Sequence, residues 1–232
     1  MPVSIQSSFS SAEVIVEKAS DAIIEYGSQV LVRDTQEALL FYEGRLRTKL
    51  AAGTFTLDTG LLPGANNLLP AGGDSINCEI WYLNKVVKTN YNWGTKSPVS
   101  VIDNQYGVIV PVGSYGSVEA YIGDFETFFR QAIGARQFFT SSDLEKLIEP
   151  VVQREVKTLI AQECQQSNIY TLTLEIKRLS DLCKECIQGK LNQYGISIRD
   201  FYINNLSVVG DDPSLIEIKN SLAKAASVRI ES

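Results

Sequence analysis

SQVLVRDTQEALLFYEGRLRTKLAAGTFTLDTGLLP, residues 28–63, is the stretch whose reading decides the fold. Two extended runs rich in Val, Leu, Phe and Tyr meet at Glu43-Gly44, and a third run follows around Phe55 and Leu57. Gly44 takes the positive φ that a short hairpin demands, and its flanks Phe41-Tyr42 and Leu46 offer apolar surface for one buried face. Gly53, just before Thr54-Phe55-Thr56-Leu57, predicts a second bend feeding a strand. A sheet nucleated here must have the remaining elements packed on it or extended from it.

Working outward, residues 1–12 are polar and Ser-rich and read as a flexible N-terminal arm. Residues 13–16, EVIV, read as a short edge strand, and Asp21 to Tyr26 as either a strand or a helical turn that Gly27 ends. On the other side, GLLPGANNLLPAGGD, residues 60–74, predicts a long loop, and loops of that length are often functional. Ile80 to Leu83 with Val86-Val87 reads as a fourth strand. Tyr91 to Thr95 reads as a turn with two aromatics, and Val99 to Ile102 as an extended run. Asp103 to Gly107 reads as another turn. Val108 to Val112 and Ser117 to Ile122 are two further runs.

The hydrophobic period then changes. Asp124 is an N-cap for a helix to Ile133, with Gly134 just past its end and Phe125, Phe128, Phe129 and Ile133 on one face. Ser142-x-x-Glu145 reads as a capping box opening a long amphipathic helix through Ile160, which Pro150 kinks or bounds. Thr173 to Tyr194 is a third helix. Ile196 to Val209 returns to alternation, with a bulge near Asp200, and most simply rejoins the first sheet. Asp212-Pro213 opens a last helix whose narrow seam is Leu215, Ile218, Leu222 and Ala225; such a seam suits helix association more than core burial. Strands, then helices, then one strand, then an exit helix make an α+β layout, not the alternation of a parallel doubly wound sheet. The expected organisation is an arm over 1–12, a domain over 13–210 and a C-terminal assembly helix over 211–232.

Composition narrows the function classes. The net charge is −6 with no Lys/Arg stripe, which argues against a nucleic-acid partner. The chain has no His, so Ser-His and Cys-His nucleophile systems and His-ligated metal sites are out of reach. Cys78, Cys164, Cys183 and Cys186 lack the dense spacing of a secreted disulfide scaffold, so a cytoplasmic, reducing setting is expected. No apolar run approaches the roughly 20 residues that span a bilayer. MPVSIQSSFSS has neither the basic n-region nor the h-region of a secretory signal. A soluble chain, at most peripheral on the membrane, is expected.

The run GSQVLVRDTQEALLFYEGRL resembles the opening of SPFH (Band-7, prohibitin-homology) domains. Supporting pieces are Gly53 to Leu57, Ile80 to Lys85, Trp93-Gly94-Thr95, Asp103 to Gly116 and Tyr194-Gly195-Ile196. Together they cover about residues 13–225. More narrowly, the chain is similar to the virion-core-protein-like subgroup. It departs from that subgroup at its Pro-Gly-x-His/Tyr bend, here Ala52-Gly53-Thr54-Phe55. It also shows neither the C-terminal zinc ribbon of many members nor the N-terminal membrane anchor of many SPFH proteins. The resemblance implies a small, strongly curved, mostly antiparallel sheet with helices packed on it and a helix that drives assembly. It further implies a non-enzymatic homo-oligomeric scaffold, commonly membrane-associated, that organises or protects membrane through recruited protein partners.

Individual motifs stay bland. Cys183-x-x-Cys186 falls mid-helix rather than at the helix N-terminus where a redox thiol is activated, and reads as core or half-buried side chains. Gly113-x-x-Gly116 and Gly72-Gly73 are not followed by Lys-Ser/Thr and read as turn glycines. Asp58, Asp74, Asp103 and Asp124 read as solvated turn residues. No catalytic, cofactor-binding or metal-ligating residue is expected. Leu61-Leu62-Pro63 with Leu68-Leu69-Pro70 is the most notable apolar stretch outside a clear element. It is either a contact patch for a membrane or neighbouring subunit, or a cover for the sheet's edge. That loop underlies an alternative function: a small accessory module recruiting one protein or membrane partner through 60–74.

Overall fold

The computed structural model describes residues 3–19, 24–62, 76–102, 107–134, 136–210 and 220. In chain order the strands are β1 (Ser4–Ile5), β2 (Val14–Lys18), β3 (Gln29–Val32), β4 (Gln36–Tyr42), β5 (Arg45–Leu50), β6 (Gly53–Thr56) and β7 (Cys78–Asn84). β8 (Thr89–Gly94), β9 (Val99–Ile102) and β10 (Ile109–Ile122) follow. Then come α1 (Phe125–Phe128), β11 (Phe138–Thr140), α2 (Ser141–Gln166), α3 (Ile169–Leu174), α4 (Ile176–Leu191) and β12 (Ile196–Val208). The class is α+β. The chain divides into one compact unit of Met1–Thr89, Tyr121–Glu145 and Gln193–Ile196, and a second of Asn90–Ala120, Lys146–Asn192 and Ser197–Ser232.

In the first unit the 28–63 stretch forms β3 to β6 as its pattern predicts. Glu43 at φ 50° and Gly44 at φ 71° make the tight turn between β4 and β5, the two positive φ values of a type I′ hairpin. β4 lies inside a five-stranded sheet ordered β11-β2-β7-β4-β5, and β1-β3-β6 form a smaller sheet. Val30, Ala38, Leu40, Leu57, Leu62 and Tyr82 belong to one buried cluster in this unit. On α1, Asp124 accepts hydrogen bonds from the Glu126 and Thr127 amides, and the Thr127 hydroxyl is the main cause holding its carboxyl below the usual range. The helix continues as a wider π segment, Phe129–Ile133. Phe129 sets its ring 4.7 Å from Phe41 and 5.0 Å from Trp81.

Residues 4–9 of the arm are pinned. β1 pairs in parallel with β3, the Tyr82 hydroxyl donates to Ile5 O at 3.1 Å, and Gln36 Nε2 donates to Ser7 Oγ at 2.7 Å. Glu17, buried at 6 % exposure, accepts from the amides of Ser8 and Phe9. A buried carboxylate must find donors, and the arm supplies them. β2 is interior, between β11 and β7, rather than an edge. The capping box sits two residues early: Asp143 N donates to Thr140 Oγ1 at 3.2 Å and Thr140 N to Asp143 Oδ2 at 3.1 Å. β11 ends at Thr140, so the helix starts at Ser141 rather than beyond Ser142.

In the second unit the sheet order is β12-β10-β8, with β9 paired to β10. The late strand therefore joins β10, not the strands of 28–63. Residues 89–94 form a strand instead of a turn at Tyr91 to Thr95; Thr89, Tyr91 and Trp93 are buried in strict alternation with exposed Asn90 and Asn92. Val108 to Ile122, read as two runs, holds a single strand through Gly113 and Gly116. These two are packing glycines rather than turn glycines. A Cβ on Gly116 would sit 1.8 Å from Tyr202 O and 2.8 Å from the Trp93 ring, and one on Gly113 would meet Val209 at 2.9 Å. Trp93 stacks on Phe201 at 5.1 Å. Helix α2 runs unbroken from Ser141 to Gln166 with Pro150 inside it. The predicted third helix is two, separated at Glu175 (φ −103°, ψ 23°), with Asn168 capping the first. Of the exit helix, only Asn220 falls among the described residues, and it is helical.

Two glycines make opposite predictions. Gly116→Ala should destabilise by at least about 3 kcal/mol, because backbone rather than a flexible side chain blocks the methyl. Gly189→Ala, in α4 with nothing within 4 Å of the added Cβ, should stabilise by about 0.5–1 kcal/mol. Urea unfolding midpoints of the two variants should move in opposite directions.

Candidate interaction surfaces

The 58–62 turn shows how the first half of the leucine loop is used. Asp58 Oδ1 accepts from the amides of Gly60 and Leu61, at 2.9 and 3.4 Å, so this Asp is a turn residue as read. The turn delivers Leu62 into the core at 0 % exposure, while Leu61 is half-buried against the same cluster. Leu62 thus anchors the loop. Leu68 and Leu69 lie outside the described residues, as do Gly72, Gly73, Asp74 and Asp103. So do Leu215, Ile218, Leu222 and Ala225 of the expected assembly helix.

Two sheet edges are treated in contrasting ways. In the second unit, β12 is an edge strand, and α4 lays one row of side chains along it. The Ile203 amide donates to Ser180 Oγ at 3.0 Å, the Ile198 amide to Gln188 Oε1 at 2.6 Å, and Lys184 Nζ donates to Arg199 O. Ser180, Lys184 and Gln188 recur every four residues, so one helix face meets the strand's outward groups. In the first unit, β5 is the edge beyond β4, and no described strand pairs with its outer side. Arg45, Arg47 and Lys49 are exposed along it. Lys49 pairs with Glu37 at 2.8 Å, whereas Arg47 lies 5.5 Å over the Tyr42 ring. The sequence signal for this row, R-x-R-x-K just after the hairpin turn, is short enough to be missed when a broad basic stripe is sought.

A family model described as the SPFH domain-Band 7 family matches residues 17–230. The chain belongs to the SPFH domain-Band 7 family. No curated protein matches it in sequence. Membership brings a scaffold-type, membrane-associated role at the level of the family, which is generally non-enzymatic. Among the described residues no helix is long and apolar enough to cross a membrane. Among the same residues no group of three His, Cys, Asp or Glu side chains is placed to hold a metal ion.

The remaining chemistry-bearing motif of this SPFH chain is Cys183-x-x-Cys186. None of the four cysteines forms a disulfide among the described residues. Burial, with smaller contributions from Cys186, Glu155 and Glu163, pushes the Cys183 thiol up to about 12. A redox nucleophile needs the opposite shift. Cys186 is exposed and Cys183 buried, so the helix turns one sulfur inward and the other out. Iodoacetamide at mildly alkaline pH should therefore alkylate Cys186 on the folded chain. Cys183 should react far more slowly, because it is buried and its thiol is held protonated. Peptide mapping by mass spectrometry would read this directly, and equal labelling of both would contradict the assigned burial.

Proposed function

We propose that this SPFH chain is a non-catalytic scaffold that works by repeating itself and holding partner molecules in place. The observation supporting it is the family match over 17–230, which takes in β3 to β12 and continues through the segment carrying Leu215, Ile218, Leu222 and Ala225. That apolar seam drives lateral association, and identical contacts repeated head to tail close into a ring or cage when the rotation allows. Within the family, the reading places the chain in the virion-core-protein-like subgroup. It acts in the cytoplasm, on the face of a membrane that it organises or protects through a recruited protein. A Cys183 thiol held neutral by burial, and Asp124 and Asp58 spent on a cap and a turn, suit a protein that acts through surfaces. The accessory-module alternative, built on the 60–74 loop, has lost Leu62 to the core and would rest on Leu61, Leu68 and Leu69.

The test is molar mass in solution. The full chain should scatter as a multiple of 25.6 kDa, and the double substitution Leu215→Asp with Leu222→Asp should return it to that monomer mass with its circular dichroism unchanged. A full chain that is monomeric at all concentrations would contradict the assembly reading.

A further inference from the structure

We infer that β5 is a docking edge for an acidic, extended segment of a partner protein, which adds beside it as a further strand. The inference rests on the scaffold reading and deepens it, naming how a recruited protein is held.

Three observations point there. First, β5 is the terminal strand of the five-stranded sheet, and its outer N–H and C=O groups meet no described strand. Strand addition satisfies such groups and draws its affinity from main-chain hydrogen bonds. Second, Arg45, Arg47 and Lys49 are exposed in alternation along that edge. The bulge at Arg47 puts Arg45, opposite Tyr42, and Lys49, opposite Leu39, on opposite faces of the sheet, so the cations flank the edge, with Arg45 and Arg47 on the Tyr42 side. Third, the chain carries −6 overall, yet among the described residues Arg45 and Arg47 have no carboxylate partner. Only Lys49 has one, in Glu37. An acidic segment is repelled by the chain as a whole and attracted here, so charge complementarity selects the partner.

Charge on an edge strand also guards against aggregation. The protein has another way to close an edge, seen on β12, where Ser180, Lys184 and Gln188 cover the outward groups. On β5 there is no such cover among the described residues. Arg47 is the extra residue of a bulge, since Leu40 pairs with Thr48 and Phe41 with Leu46, and its guanidinium rests over Tyr42. That contact preorganises one cation without neutralising it. A lipid phosphate would engage the cations but leave the backbone row to water. An extended peptide uses both, which favours it as the occupant.

The test uses the full chain and a fluorescein-labelled peptide of alternating Glu and Val, followed by fluorescence anisotropy. Binding should be saturable and weaken at high salt. It should fall at least about tenfold with Arg45→Glu plus Arg47→Glu, and largely survive Arg45→Lys plus Arg47→Lys. Methylating alternate peptide amides should abolish it, because strand addition needs those donors. No binding, or binding indifferent to amide methylation, would overturn the proposal. So would arginine-dependent capture of phosphatidylserine vesicles without capture of the peptide. Light scattering on the same samples separates the two readings. An oligomer that ignores the peptide sinks the docking edge alone, and a monomer that binds it sinks assembly alone.

Discussion

A strand at the margin of a sheet presents backbone N–H and C=O groups that must meet a partner or water, and the described architecture follows from how each margin is treated. In the first unit, β1 joins β3 in parallel and β11 joins β2, so a two-residue and a three-residue segment extend sheets whose longer strands carry the core. Glu17 gathers the amides of Ser8 and Phe9, which ties down the chain that precedes β2. In the second unit, β12 receives its cover from α4, and Ser180 both donates to Ile176 O and accepts from Ile203 N. β5 alone combines an uncovered margin with unpaired arginines among the described residues.

This treatment explains why side chains that suggest chemistry do structural work. Asp124 caps α1, and Asp58 closes a turn. Cys183 packs inward from α4, where desolvation keeps it protonated. Gly116 lets two backbones approach within a distance that any methyl would forbid. What is left at the surface of these elements is shape and charge.

Much of this was legible in the residues. The hairpin at Glu43-Gly44, the Asp124 cap and the α+β order follow from local chemistry that short windows contain. The SPFH assignment follows from the order and spacing of several such windows. What was not legible depends on partners distant in sequence. Gly113 and Gly116 look like turn residues until Val209 and Tyr202 are placed against them. The arm looks loose until Glu17 and Tyr82 are seen to need its amides and its carbonyl. The capping box looks like Ser142-x-x-Glu145 until β11 is seen to end at Thr140, which moves the box two residues toward the N-terminus. The sheet joined by β12 could not be read from its own alternation, because alternation fixes a strand's faces and not its neighbour.

Amide hydrogen exchange on the full chain tests the central claim, that one edge is closed and the other left open for a partner. The Ile198 and Ile203 amides should be strongly protected, and their protection should fall on Gln188→Ala and Ser180→Ala respectively. The β5 amides that face away from β4 should exchange rapidly on the free chain and slow when an acidic extended peptide is added. Outward β5 amides that are already as protected as Ile198 and Ile203 in the free chain would contradict the account.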